Sequence, residues 1–211
     1  MQIAIIGAGN VGGALATATV KAGHDVTLGA TDAAKLAQTA AASGASAAAS
    51  NLDAVRDADL VVLAVPHAAV AGIASELRDS LQGKVVVDST NPLNETFSDL
   101  VTTGRSAAEE LQDALPGVPV VKAFNTIFAG RHGNPTEVGQ PLDAFIAADD
   151  ADAKAKVGEL AGSLGYRVID AGSLRMARSL EEMAFLNISL NAANGWVWQS
   201  GWKLVGPTDA Q

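Results

Sequence analysis

Gly7, Gly9 and Gly12 form the one constellation in this 211-residue chain whose residue types and spacing point directly to a chemistry. That chemistry is anion binding. The Gly-x-Gly-x-x-Gly turn follows Ile3-Ala4-Ile5-Ile6, an apolar run that reads as a short buried parallel strand, and leads into a helical pattern from about Asn10 to Ala22. In that order the first glycine permits the tight turn, the second lets the backbone approach a pyrophosphate, and the third lets helix and strand pack closely. Amides at the helix start, aided by the positive end of the helix dipole, face the anion. Gly7, Ala8, Gly9, Asn10, Val11 and Gly12 are therefore the expected cradle of a dinucleotide.

Ligands of open α/β sheets lie beyond the carboxyl ends of the strands. Three loops should leave strands there: Val65-Pro66-His67, Asp88-Ser89-Thr90-Asn91-Pro92 and Ala123-Phe124-Asn125-Thr126. His67 is a candidate acid or base, although after Val-Pro it is as simply the start of a helix. His24 falls in a turn at the opposite end and reads as structural. His132 lies in a long loop from which it could touch a substrate. No His-x-x-x-His, no paired carboxylates around the expected pocket and no Gly-x-Ser-x-Gly occur, so metal and acyl-transfer chemistry have nothing to rest on.

The elements that must position these loops alternate strand and helix. Strands are expected over 25–29, 60–65, 84–88, 118–123, 143–147 and 166–170, with a poor one over 45–49 that only the βαβ rhythm requests. Asp32 caps a helix over 33–43 that Gly44 closes, Asn51 starts a short one, and another covers 67–80. Ser106-x-x-Glu109 is a capping box opening a helix over 107–114, and a further helix runs over 151–164. Residues 125–142, with three glycines and two prolines, read as a long loop or lid. From Leu174 to about Trp198 the pattern is helical. Met183 to Trp202 carries no charge, but Asn187, Ser189, Asn191, Asn194, Gln199 and Ser200 make it too polar for hydrocarbon. The three asparagines share a face, expected to bond neighbouring loops rather than to line a ligand. The whole predicts a Rossmann-type, doubly wound, mostly parallel α/β sheet with a small C-terminal helical appendage. Residues 1–172 would form the dinucleotide-binding domain and 173–211 a helical segment packed on the site or in a dimer interface.

Fourteen basic against twenty-three acidic residues give a net charge of −9, which argues against nucleic acid or an anionic membrane as partner. With 48% hydrophobic residues the chain can bury a sizeable core, and without cysteine it has neither disulfides nor thiol chemistry. A first strand at Gln2 leaves no room for a signal peptide, so the cytoplasm is the expected location. The uncharged face of the helix over 176–198 and the tryptophans Trp196, Trp198 and Trp202 suggest a homodimer.

The segments Ile6-Gly7-Ala8-Gly9-Asn10-Val11-Gly12, Asp88-Ser89-Thr90-Asn91-Pro92-Leu93, Lys122-Ala123-Phe124-Asn125-Thr126 and Asp170-Ala171-Gly172-Ser173-Leu174 together resemble the NADPH-dependent coenzyme F420 reductases. Ala177-Arg178-Ser179-Leu180-Glu181-Glu182 and Leu186-Asn187-Ile188 carry the resemblance into the C-terminal helix. It implies an oxidoreductase that moves hydride between a nicotinamide and a bound 5-deazaflavin, coenzyme F420, with proximity and orientation supplying most of the rate. No side-chain acid or base is obligatory in such a reaction. The cofactor would meet the glycine turn, Ala30, Thr31, Asp32, Val65, Pro66, His67, Asn91 and Pro92, with Phe124, Asn125 and Thr126 on the substrate side.

The chain departs from the family in one place. Members that use NADPH carry Ser-Arg or Thr-Arg after the second strand, whereas here Gly29-Ala30-Thr31-Asp32 offers no basic residue until Lys35. Both NADP and NAD therefore stand as cofactors, and Asp32 reads either as a ribose-binding acid or as a helix cap. Two other functions fit the same scaffold: an NAD(P)H-dependent reductase of a small imine, keto compound or flavin, and a non-enzymatic dinucleotide-sensing dimer.

Overall fold

The structure, a computed structural model, describes residues 1–206; the last five residues of the expected 173–211 segment lie outside it. Along the chain run β1 (Gln2–Ile6), α1 (Asn10–Lys21), β2 (Asp25–Gly29), α2 (Ala33–Ser43), β3 (Ser46–Ala47), α3 (Asn51–Val55), β4 (Leu60–Leu63), α4 (His67–Leu77) and β5 (Val85–Asp88). There follow α5 (Ala107–Ala114), β6 (Val120–Lys122), α6 (Ala129–His132), β7 (Thr136–Glu137), β8 (Gln140–Pro141), β9 (Asp143–Ala147), α7 (Ala151–Ser163), β10 (Arg167–Gly172) and α8 (Ala177–Asn194). Eight strands make one sheet in the order β10-β9-β6-β5-β4-β1-β2-β3. It is a mostly parallel, Rossmann-like α/β fold. All its pairings are parallel except β6 with β9, which join antiparallel through Lys122 and Ala147.

Strict alternation along the central strands explains the two layers. Ile3, Ile5, Leu60, Val62 and Val87 belong to a core with Leu15 and Ala16 of α1. Their neighbours Ala4, Ile6, Val61, Leu63 and Val86 belong to a second core with Val70, Ala74 and Leu77 of α4 and Leu111 of α5. Side chains that alternate across a pleat must find apolar cover on both faces, and helices supply it.

Several local signals act as their chemistry requires. Asp32 accepts from Lys35 N at the start of α2, Gly44 closes that helix at φ 77°, and Ser106 and Glu109 form a complete capping box. Glu109 also takes two hydrogen bonds from Arg178 of α8, at 2.7 and 2.6 Å. Those bonds, with the Ser106 contacts and against the cost of burial, hold its carboxyl at about 2 rather than 4.5. Because the folded value is depressed, the stabilisation is complete above about 4.5 and decays as pH falls toward 2. Glu109→Gln is expected to flatten the acid-induced fall in melting temperature across that window.

The structure differs from the sequence reading in three places. The strand expected over 45–49 is the two-residue edge strand β3, since alanine and serine pair weakly. Residues 125–142 are not an open lid: they hold α6 and the β7–β8 hairpin, and Asn125, Thr126, Arg131 and His132 are buried. The C-terminal helix stops at Asn194 because Gly195 adopts the left-handed conformation, leaving Trp196, Trp198 and Trp202 in irregular chain. Leu186 and Leu190 of that helix are exposed on the single chain. Among the described residues no helix is long and apolar enough to cross a membrane.

Candidate active site

The glycine turn is built so that two of its three glycines are required by close packing and the third faces open space. A Cβ on Gly7 (φ +123°) would lie 2.2 Å from the Ala64 carbonyl oxygen, and one on Gly12 would lie 1.9 Å from that of Gly7. A Cβ on Gly9 would meet nothing within 4 Å. Gly9 is the N-cap of α1 and has no side chain to satisfy the first helical amides. The open volume beside it, faced by those amides, fits a pyrophosphate.

From this turn a cleft of about 460 Å³ runs between the ends of β2 and β4. Gly7, Ala8, Gly9, Ala30, Thr31, Asp32, Val65 and Pro66 all line it, as do Lys35, Asn51 and Glu76, which the sequence reading did not select. The Asp32 carboxylate is occupied in capping, accepting from Lys35 N at 3.0 Å. Lys35 forms no ion pair among the described residues, and helical spacing returns it to the cleft one turn after Asp32. That spacing was the available signal.

A second cavity of about 150 Å³ lies beyond the start of α1. Val11, Asn91, Phe124, Asn125 and Thr126 line it, joined by Ser89 and by Ala184 and Asn187 of α8. The loops after β5 and β6 are stitched together above it. Asn91 Nδ2 donates to the Asn125 carbonyl at 2.9 Å, and Asn125 Nδ2 donates to Asn91 Oδ1 at 3.0 Å and to the Leu180 carbonyl at 3.0 Å. The Phe124 ring packs inward near His132 and Tyr166, and its backbone is left-handed at φ 65°. Asn187 and Asn191 bond the C-terminal chain through Ser200, and Asn194 is exposed.

Beneath these loops sits a buried ionic cluster that the sequence reading did not identify. Lys122, fully buried at the end of β6, donates to Asp88 Oδ2 at 2.9 Å, Glu181 Oε1 at 2.8 Å and the Thr90 carbonyl at 2.7 Å. Asp88 Oδ1 also accepts from the Thr90 amide and hydroxyl, and Glu181 accepts from Ala107 N. One ammonium thus ties β5, β6 and α8 together directly under the second cavity.

Asn10, Gly12, His67 and Pro92 line neither of the two cavities. His67 is the first residue of α4, its Nδ1 buried without a partner. His132 also lines neither cavity: it is buried, bonds the Tyr166 hydroxyl at 2.9 Å, and burial lowers its pKa to about 4. His24 bonds Ser163 at 2.8 Å and is structural. Among the described residues no cluster of metal-ligating side chains occurs.

Comparison with known proteins fits this arrangement. Residues 2–92 match the family described as NADP oxidoreductase, coenzyme F420-dependent. The F420-dependent NADP reductase of Methanothermobacter thermautotrophicus is 34% identical over 213 aligned positions, covering 92% of this chain and 90% of the relative. The chain belongs to the F420-dependent NADP reductase family. It is an oxidoreductase. A crystal structure from Arthrobacter sp. FB24, provisionally described as an F420-dependent NADP reductase, superposes on it with a TM-score of 0.87 at 31% identity, covering 97% of this chain and all of that one. The imine reductase of Streptomyces aurantiacus shares the fold alone, at 22% identity and a TM-score of 0.65 over 93% of this chain and 62% of that one. Similarity to the Methanothermobacter relative thus extends well past residues 2–92, over 92% of the chain.

Proposed function

We propose that this protein transfers hydride between NADP and coenzyme F420. The observation that carries the reading is the pair of cavities, one lined by the glycine turn and the other by Val11 at the start of α1, with no titratable side chain lining the second one. When bound there, the nicotinamide and the deazaflavin supply the redox chemistry, which moves a hydride directly and needs no proton relay. The chain's own task is then to hold and orient. Gly7, Ala8 and Gly9 bring amides to the pyrophosphate, Ala30, Thr31 and Lys35 flank the phosphorylated ribose, and Val65 and Pro66 form the opposite wall. Ser89, Asn91, Asn125 and Thr126 surround the ring end. In this reading residues 1–172 hold the dinucleotide, while Ala184 and Asn187 of the remaining segment close the acceptor side and exclude water. Imine or keto reduction would call for a proton donor, and the cavity lining provides no acid.

Mixing the protein with NADPH and oxidised F420, and following the visible absorbance of the deazaflavin, tests the reading. Its absorbance should fall. Unchanged absorbance with NADPH and with NADH would refute it.

Lys35 takes the place of the missing arginine in this reading. Hydrogen bonds to charged groups contribute roughly 1.5–3 kcal/mol, and an exposed lysine belongs at the low end. Lys35→Met is therefore expected to lower the NADPH-to-NADH ratio of specificity constants by about tenfold. Thr31→Arg, adding a bidentate donor, should raise it. Steady-state kinetics with both cofactors checks the pair.

The same reading assigns the protein to the cytoplasm, where the nicotinamide pool lies, and to a homodimer. Leu186, Leu190, Trp196, Val197 and Trp198 leave an apolar surface exposed on one chain, of the kind that interfaces cover. Sedimentation at micromolar concentration should give a dimer; a monomer would contradict the assignment.

A further inference from the structure

Both amide protons of Asn125 are committed, to Asn91 Oδ1 and to the Leu180 carbonyl. Its Oδ1 has no partner among the described residues, although the residue is only 6% exposed. The amide cannot be turned round to cure this. Asn91 Nδ2 must face the Asn125 carbonyl, so Asn91 presents its oxygen to Asn125; the Leu180 carbonyl also demands a donor. The unpaired atom is therefore the oxygen. Buried acceptors are rarely left unpaired, and this one belongs to a residue lining the second cavity. The preceding residue, Phe124, holds a left-handed backbone, a conformation that costs energy in a bulky residue and clusters at ligand sites.

The ligand required is an N–H donor at the ring end of the cofactor site. A dinucleotide laid along the cleft from Thr31 past Gly9 brings its nicotinamide toward Val11, whose side of the cavity faces Asn125. We propose that Asn125 Oδ1 accepts a hydrogen bond from the primary carboxamide of the nicotinamide, fixing the rotation of that ring. This rests on the cofactor reading above. Asn125 acts here as a positioning residue, held in place by Asn91 and Leu180.

Calorimetry with the oxidised cofactors tests the proposal without turnover. NADP is compared with its acetylpyridine analogue, in which a methyl group replaces the amide nitrogen, and with its thionicotinamide analogue, which keeps the N–H. The parent protein should bind the acetylpyridine form about five- to a hundredfold more weakly, the range for leaving a buried acceptor unsatisfied. The thionicotinamide form should bind within a few fold of NADP. In Asn125→Ala the preference for NADP over the acetylpyridine form should collapse to near unity, a ratio that general loosening of the loop would not abolish selectively. Equal binding of NADP and the acetylpyridine form by the parent overturns the inference alone, and does so even if Asn125→Ala fails to fold. A preference that persists in the variant also overturns it. Failure of the parent to bind NADP at all overturns the cofactor reading as well.

Discussion

Lys122→Met is expected to destabilise the protein by about 3–5 kcal/mol, the cost of removing one partner from a buried ion pair. For a chain of this size that corresponds to a fall in melting temperature of about 6–20 °C. The cause is what the substitution leaves behind. Asp88 and Glu181 are each almost fully buried, and without the ammonium between them two carboxylates would face one another away from water. Burial alone would lower the Lys122 pKa, but the carboxylates of Asp88 and Glu181 outweigh it and raise it. With a folded value above the unfolded one, the lysine's contribution is complete below its ordinary pKa and is lost only as pH rises through the raised value. Neutral solution leaves it intact. The cluster also anchors Thr90 and α8, so the variant should lose cofactor affinity along with stability. Thermal melts of parent and variant decide the point, and an unchanged melting temperature would contradict the role given to Lys122.

Gly9→Val should abolish measurable dinucleotide binding while the fold persists. The added side chain starts in open space, with no protein atom within 4 Å of its Cβ. It occupies the space through which a pyrophosphate must reach the amides of α1. Losing two charge-assisted hydrogen bonds at about 1.5–3 kcal/mol each corresponds to a hundredfold or greater loss of affinity. Gly7→Ala and Gly12→Ala should behave oppositely and damage the fold, since each places a Cβ within 2.2 Å of a backbone oxygen. Calorimetry of NADP with folded Gly9→Val reads the result; unchanged affinity would remove the site from the glycine turn.

What the sequence displayed and what it concealed divide along contact distance. Asp32, Gly44, Ser106 and Glu109 act on amides within a few residues, so caps and helix limits were legible from local chemistry. The apolar runs of β1, β4 and β5 announced a sheet covered on both faces. Gly195 was itself a visible stop signal, overridden in the reading by the long uncharged run around it. Lys122 was concealed because its partners lie 34 and 59 residues away, beyond any periodicity. The burial of Arg131 and His132 was likewise hidden: glycine and proline around them mark turns, but not what the turns pack against. Lys35 lay in view, the first basic residue after β2 and one that lines the cleft.

Direct transfer between two cofactors held by a site without an acid is the central claim, and isotope tracing tests it most directly. NADPH carrying deuterium on the transferred position is incubated with the protein and oxidised F420 in ordinary water. The account predicts reduced F420 that holds the deuterium on its newly reduced carbon, with no loss to solvent. Reduced F420 that carries solvent hydrogen there instead, or no reduction of F420 while NADPH binds, would contradict it.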